Sequence, residues 1–162
     1  MITVCKYTNT HFRAFKGMLN VCFNKDYGIP LSNQQLEELC AKIIQSVGNG
    51  ITFLYLILVD GEAKGFIHYQ IDTTKSDWCE KENWGCIREL YISDDVRGKG
   101  YGKILVAQAE NELWKLSTLG IYLTTDDTLD FWIKLGYNDT GGICNKNNGN
   151  ILSKVKAYSI CP

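Results

Sequence analysis

The chain alternates between stretches with the periodicity of strands and stretches with the periodicity of amphipathic helices. Residues 2–7 predict a strand, and the apolar positions that follow recur every three or four residues, which predicts a helix. Residues 24–30 are rich in turn formers. A second helix is predicted next, because Ser32 and Gln35 form a capping box and Gly48 ends the apolar repeat. The apolar faces of these helices are expected to contain Phe12, Phe15, Met18, Leu19, Leu36, Leu39, Cys40, Ile43 and Ile44.

The middle of the chain predicts a hairpin of buried strands. Residues 51–59 are almost entirely apolar, as in a central strand that is covered on both faces. Asp60 and Gly61 form a tight-turn dipeptide, and residues 64–71 are the returning strand. Residues 72–85 then form a polar loop.

A glycine-rich run lies between a predicted fourth strand, residues 86–92, and a predicted third helix, residues 100–116. The first N–H groups of a helix have no partner within it, and the helix dipole there favours negative charge. Glycine lets the backbone approach a ligand closely. The run therefore predicts a phosphate site, whose residues are Arg97, Gly98, Lys99, Gly100, Tyr101, Gly102 and Lys103.

The last part of the chain predicts a strand, a short helix and a closing hairpin of two strands. Residues 120–125 are the fifth strand and residues 128–135 the fourth helix. Two final strands, residues 137–144 and 151–159, are joined by a turn at residues 145–150. Periodicity alone indicates a mixed α and β protein.

The glycine spacing excludes two common phosphate loops. The dinucleotide fingerprint, Gly-x-Gly-x-x-Gly, would need glycine at position 103 or 105, which hold Lys103 and Leu105. The nucleotide loop, Gly-x-x-x-x-Gly-Lys-Ser/Thr, would need a glycine five residues before Gly102, and none is there. What remains, Arg-x-x-Gly-x-Gly, resembles the pyrophosphate-binding signature of the GNAT superfamily of N-acetyltransferases. Residues 89–92 resemble the family's fourth strand. Residues 131–137, Phe-Trp-Ile-Lys-Leu-Gly-Tyr, resemble its later motif Phe-Tyr-x-Lys-x-Gly-Phe.

This resemblance implies an α/β fold and a reaction. The expected fold is a central mixed, mostly antiparallel sheet of about seven strands flanked by about four helices, with residues 1–162 as a single domain. Acetyl-CoA would be the co-substrate, and its acetyl group would pass directly to a primary amine of a small molecule in a ternary complex. The pantetheine would contact the backbone of the fourth strand at Leu90, Tyr91 and Ile92. Thr125 stands where the family often has an asparagine that touches the pantetheine.

The catalytic residues follow the family only in part. Glu89 is expected to deprotonate the amine, although it could instead bind substrate or form a salt bridge. Trp132 occupies the place of the family's tyrosine acid, and an indole N–H cannot release its proton at useful pH. Three interpretations stay open. The thiolate leaves without a specific acid, another phenol such as Tyr137 or Tyr91 substitutes, or the protein is a non-catalytic acyl-CoA-binding module.

Two loops are expected to contact the acceptor. The loop after the first helix contains Asp26 and Tyr27, and the loop before the fourth strand contains Trp78 and Trp84. Acidic and aromatic side chains suit a cationic amine through ion pairing and cation–π contact, as in a polyamine, an amino sugar or an amino acid derivative. A peptide or protein acceptor is the main alternative, and the tryptophans could instead be packed as lids.

The composition of the chain excludes several classes of partner and site but names no reactive residue. With 162 residues and a net charge of −1, the chain has no signature of a nucleic-acid or membrane-surface binder, and no such partner is expected. No apolar run approaches the ~18 residues of a membrane span, and no signal-peptide pattern opens the sequence, so a cytoplasmic location is expected. Seven cysteines and two histidines show no metal-ligand spacing, which predicts reduced thiols and no metal. A homodimer is left open.

Overall fold

The computed structural model describes residues 1–156 of the 162-residue chain. The end of the last predicted strand, residues 157–159, lies outside the described residues. The chain packs into two compact units. The first unit comprises Met1–Tyr69 and Glu89–Ala107, and the second comprises Gln70–Arg88 and Gln108–Pro162.

Within the described residues, seven strands and four helices follow one another in the predicted order. They are β1 (Ile2–Lys6), α1 (Phe12–Val21), α2 (Asn33–Gly48), β2 (Thr52–Val59), β3 (Glu62–Ile71), β4 (Gly85–Ile92), α3 (Tyr101–Lys115), β5 (Gly120–Thr125), α4 (Leu129–Lys134), β6 (Asn138–Ile143) and β7 (Asn150–Val155). Short 3-10 helices at Asn9–His11 and Asp94–Val96 precede α1 and the glycine-rich run. Cys22–Asp26 continues α1 as a π-helical turn, where the sequence indicated only turn formers.

The strands form one sheet in the order β1-β2-β3-β4-β5-β7-β6. β1 with β2, β5 with β7 and β6 with β7 are antiparallel, and β4 with β5 is parallel. The predicted mixed, mostly antiparallel sheet is therefore confirmed. The ladder between β4 and β5 pairs Gly85 with Ile121 and Cys86 with Tyr122, and residues 87–92 of β4 lie beyond it.

The structure contains the predicted capping box and the predicted tight turn. Ser32 accepts a hydrogen bond from the Gln35 N–H at 3.2 Å, and Gln35 Oε1 accepts one from the Ser32 N–H at 2.9 Å, which completes the capping box of α2. Asp60 and Gly61 both have positive φ, 50° and 84°, as a two-residue hairpin turn between β2 and β3 requires.

The core of the first unit joins α1, α2 and the strands. Residues 54–57 of β2 are buried in succession, which confirms a strand covered on both faces. The ring of Phe66 lies 5.1 Å from that of Phe15 and 5.8 Å from that of Tyr91. The Tyr91 side chain is therefore part of the core, and a ligand contact at this residue would use its backbone.

Close packing between α3, β4 and β5 organises the second unit. A Cβ at Gly85 would lie 2.7 Å from Leu113, and a Cβ at Gly120 would lie 2.3 Å from the ring of Trp84. Ala109 and Leu113 of α3 are buried. The helix was predicted to extend to residue 116, but α3 ends at Lys115 and Leu116 is 49% exposed. Among residues 1–156, no helix is long and apolar enough to cross a membrane.

Candidate functional site

The glycine-rich run forms an open turn at the start of α3. Gly98 and Gly100 have φ angles of +79° and +83°, a region that favours glycine, and a Cβ at either would meet nothing within 4 Å. The Ile104 N–H makes the first helical bond, to the Gly100 carbonyl at 3.2 Å. The N–H groups of residues 101–103 therefore have no partner within the helix, which is the arrangement that suits an anion.

Arg97 anchors this turn to the rest of the first unit. Its Nε donates to the Ile92 carbonyl at 2.8 Å, and its guanidinium pairs with Asp26 at 2.7 Å and with Asp94 at 3.0 Å. The same group lies over the ring of Tyr91, 5.7 Å from its centroid. Arg97 is thus held by the protein itself, and Asp26 is its partner.

A second ion pair joins the same two segments. Lys25 donates a hydrogen bond to Asp94, and this bond raises the pKa of Lys25 and lowers that of Asp94. Both groups are exposed, so salt screens the pair. Together, the two pairs connect the π-helical turn after α1 with the segment that carries the glycine turn.

Glu89 pairs with a histidine rather than with a lysine or arginine. His68 Nδ1 and Glu89 Oε2 are 2.6 Å apart, between the neighbouring strands β3 and β4. His68 is only 4% exposed, and its Nε2 is buried with no hydrogen-bond partner among the described residues. The pair is therefore a carboxylate held by a buried imidazole.

Tyr27 brings a phenol close to this pair. It is 45% exposed as a residue, but its hydroxyl end is buried. Burial of the hydroxyl, followed by the nearby Cys22 and Glu89, raises the pKa of Tyr27. The phenol therefore keeps its proton and can act as a hydrogen-bond donor.

The end of β4 is in close contact with β3. A Cβ at Gly65 would lie 2.6 Å from the carbonyl oxygen of Tyr91, and the Ser93 N–H donates to the Lys64 carbonyl at 2.8 Å. The side chains of Leu90 and Ile92 are half-buried rather than in the core. A role of these residues in holding pantetheine would rest on their backbone groups.

Thr125 in the second unit forms hydrogen bonds with Thr128, the residue before α4. Its hydroxyl lies 2.7 Å from that of Thr128 and accepts a hydrogen bond from the Thr128 N–H at 3.4 Å. Asp126 and Asp127 between them are exposed.

Trp132 and Tyr137 form one buried aromatic pair in the second unit. Their rings lie 5.4 Å apart at an interplanar angle of 77°. Tyr137 is 1% exposed, and burial followed by the nearby Glu110 raises its pKa. A phenol with a raised pKa gives up its proton less readily, which weakens it as a general acid.

A buried carboxylate holds the predicted acceptor loop in the second unit. Asp72 is fully buried and accepts hydrogen bonds from the Tyr122 hydroxyl, from Gln70 at 2.8 Å and from the Glu80 N–H at 3.1 Å. Gln70 also donates to the Trp78 carbonyl at 2.8 Å. These bonds fasten the loop to β3 and β5.

The two loop tryptophans lie beside cations of the protein itself. The guanidinium of Arg88 and the ammonium of Lys146 lie 5.5 Å and 5.0 Å from the centroid of Trp78, and the ammonium of Lys81 lies 4.3 Å from that of Trp84. Trp84 also packs against the backbone of Gly120. A cationic acceptor at either ring would compete with these side chains.

Two functional candidates were not recognised from the sequence. His68 and Asp72 are polar residues in or next to an apolar strand, and their partners Glu89 and Tyr122 are 21 and 50 positions away. The polar character of these buried positions could have identified them, but their partners could not be named without the pairing of the strands. Among residues 1–156, no group of histidine, cysteine, aspartate and glutamate side chains is arranged to hold a metal ion.

The fold is a mixed α/β sheet with an open glycine-rich turn at the start of a helix. A family model described as the acetyltransferase (GNAT) family matches residues 14–137, and the chain belongs to this family. The match confirms the predicted family and an acetyltransferase that uses acetyl-CoA. No significant match was found among curated proteins.

Solved structures of acetyltransferases share the fold along the whole chain. The PaiA N-acetyltransferase from Thermoplasma acidophilum in complex with coenzyme A is 18% identical, with a TM-score of 0.73 and coverage of 96% of this chain and 99% of that one. The ribosomal-protein-alanine N-acetyltransferase from Brucella melitensis is 14% identical, with a TM-score of 0.73 and coverage of 95% and 99%. The aminoglycoside 6'-acetyltransferase type Ii is 20% identical, with a TM-score of 0.72 and coverage of 94% and 96%. At these identities the similarity establishes the fold alone.

Proposed function

We propose that the protein transfers the acetyl group of acetyl-CoA to the primary amine of a small molecule by direct attack in a ternary complex. The observation that carries the proposal is the Glu89–His68 pair, which lies in the same unit as the glycine turn. The turn supplies backbone N–H groups for the diphosphate, with Lys99 and Lys103 as nearby exposed cations. The proposal takes residues 1–162 as one catalytic domain of a cytoplasmic enzyme.

Glu89 acts as the base in this proposal. It takes a proton from the acceptor ammonium, and the neutral amine attacks the thioester carbonyl. Backbone groups at Leu90, Tyr91 and Ile92 bind the pantetheine in this proposal. One N–H of the strand stabilises the oxyanion, an interaction worth about 3–4 kcal/mol of barrier where it has been measured.

The thiolate of coenzyme A leaves without a specific acid. The buried Trp132 has no proton to give, and the raised pKa of Tyr137 makes that phenol a poor donor to a thiolate. Tyr137 stays the alternative proton donor.

Asp26 and Tyr27 are the acceptor-binding residues of the first unit in this proposal. The carboxylate of Asp26, which also pairs with Arg97, and the ring of Tyr27 are the groups that contact a compact cationic amine in this proposal. The aminoglycoside and ribosomal-protein enzymes of the same fold represent both acceptor classes.

The test is release of free thiol from acetyl-CoA across a panel of polyamines, amino sugars, amino acids and peptides, with acetyl-CoA affinity measured separately by calorimetry. Turnover on a small amine that is lost in Glu89→Gln, with acetyl-CoA affinity retained, supports the proposal. Turnover on peptides alone contradicts the acceptor class. Tight binding without turnover on any amine favours the second candidate, a non-catalytic acyl-CoA-binding module, which the buried Trp132 motivates.

A further inference from the structure

We propose that His68 is a positioning residue that holds the Glu89 carboxylate by one oxygen and directs the acceptor proton to the other. The inference rests on the proposed function, in which Glu89 is the base. It assigns a role to a β3 residue that lies outside the glycine turn and outside the later aromatic motif.

The position of His68 fixes its ring. Residues 65–70 of β3 are buried in succession, so the imidazole has little freedom to turn. Its Nδ1 lies 2.6 Å from Glu89 Oε2, a short distance typical of a hydrogen bond to a charged group. The ionisable groups that act on Glu89 from elsewhere in the first unit include Cys22 and Tyr27, whose pKa values respond to it.

The buried Nε2 of His68 selects the tautomer. A carboxylate only accepts hydrogen bonds, so an ionised Glu89 requires the proton of His68 to be on Nδ1. A proton on Nε2 would be a buried donor without a partner, which costs about 1–3 kcal/mol. Of the two neutral tautomers, the one with its proton on Nδ1 is therefore favoured.

The same argument selects the oxygen of Glu89 that acts as base. If Oε2 took the acceptor proton, it would donate to Nδ1, and the neutral ring would then need its own proton on the buried Nε2. If Oε1 takes the proton, Nδ1–H continues to donate to Oε2 and nothing else changes. The N–H bond of the acceptor ammonium breaks, the O–H bond forms at Oε1, and the Nδ1–H bond of His68 stays intact.

A matched pair of amide variants separates this role from simple packing. In His68→Asn the side-chain amide is attached at Cγ and can place an N–H near the position of Nδ1. In His68→Gln the amide lies one carbon further out, near the position of Nε2. Both variants replace the ring with a buried amide, so the two differ mainly in which atom they reproduce.

The expected kinetic result is a split between kcat and KM. His68→Gln lowers kcat at least about tenfold, part of the 10²–10⁴-fold that a positioned base supplies, while the KM for acetyl-CoA stays within about twofold. His68→Asn recovers most of this loss, and the control His11→Asn leaves both parameters unchanged. Equal losses in the two His68 variants, or a wild-type kcat in His68→Gln, would overturn the proposal.

A spectroscopic measurement tests the tautomer without any turnover. Two-bond ¹H–¹⁵N correlation spectra at neutral pH report which ring nitrogens of the chain's two histidines carry protons. His11 is an internal contrast. Its Nδ1 accepts a hydrogen bond from the Thr8 N–H at 3.1 Å, so the proton of its neutral ring is on Nε2. We expect His68 to show the opposite tautomer, and a proton on Nε2 of His68 would overturn the proposal. Failure of every amine with the wild-type enzyme would instead remove the proposed function, and the catalytic role of His68 with it.

Discussion

The guanidinium of Arg97 and the carboxylate of Asp26 form an ion pair at 2.7 Å that joins the glycine turn to the π-helical turn after α1. One partner belongs to the expected cofactor site and the other to the expected acceptor site. A positive charge that would favour a diphosphate is therefore already partly neutralised by a carboxylate of the same unit.

Asp26→Asn is expected to tighten acetyl-CoA binding about two- to fivefold at low salt, since it removes a negative charge beside the anion site and frees Arg97. Calorimetry at low and high salt is the measurement, and the gain should shrink as salt screens the charges. Asp130→Asn on α4 is the control for a general change in net charge. Weaker binding in Asp26→Asn would show that the pair holds Arg97 in a useful position.

Gly100→Ala tests whether the glycine turn binds acetyl-CoA, and Gly141→Ala is a control with the same backbone strain. Gly100 and Gly141 have positive φ angles, +83° and +73°, and a Cβ at either would meet nothing within 4 Å. Each substitution should cost about 1–2 kcal/mol in the free energy of unfolding, measured with urea. Only Gly100→Ala should also weaken acetyl-CoA binding, and Gly100→Glu should abolish it. Equal affinities in the Gly100 and Gly141 variants would remove the turn from the cofactor site.

The parts of the fold that could be predicted depend on signals between near neighbours in the sequence. The capping box of Ser32 and Gln35, and the turn at Asp60 and Gly61, involve residues at most three positions apart, and the structure has both. The end of the third helix was predicted less well, since the predicted helix extends to residue 116 whereas α3 ends at Lys115 and Leu116 is 49% exposed.

The parts of the site that could not be predicted depend on the pairing of distant strands. Glu89 could be named as a base from its strand, but its partner His68 is 21 positions away. A Cβ at Gly65 would lie 2.6 Å from the carbonyl oxygen of Tyr91, so β4 requires glycine at this position of β3, and neither segment reveals this alone. Residue types therefore indicated which side chains could be reactive, while the pairing register of β3 and β4 decides which of them lie next to each other.

Asp72→Ala should destabilise the protein by about 2–4 kcal/mol, because the Tyr122 hydroxyl and two backbone or amide donors lose their buried acceptor. Urea unfolding monitored by tryptophan fluorescence measures the change. Tyr122→Phe removes only one of these donors and should cost about 0.5–1.5 kcal/mol. A loss below 1 kcal/mol in Asp72→Ala would mean that water replaces the carboxylate.

The cysteines should differ in their reaction with an alkylating reagent at pH 8. Burial raises the pKa of Cys22 to about 12, so almost none of this thiol is ionised at that pH, and only the thiolate reacts. Cys5 and Cys79 are half-buried and should be modified first. Mass spectrometry of the native protein, in a Cys161→Ser background, maps the modified residues. Early modification of Cys22 would contradict its complete burial.

Tyr137→Phe should leave kcat within about twofold, because a phenol whose pKa is raised by burial and by Glu110 is a weak donor to a thiolate. The measurement is thiol release at saturating acetyl-CoA and amine. Tyr7→Phe in the first unit is the matched control, since it also deletes one buried phenol hydroxyl. A fall in kcat of tenfold or more in Tyr137→Phe alone, with unfolding free energies alike in the two variants, would assign the proton of the leaving group to Tyr137. In that case Tyr137 would substitute for the tyrosine that Trp132 replaces.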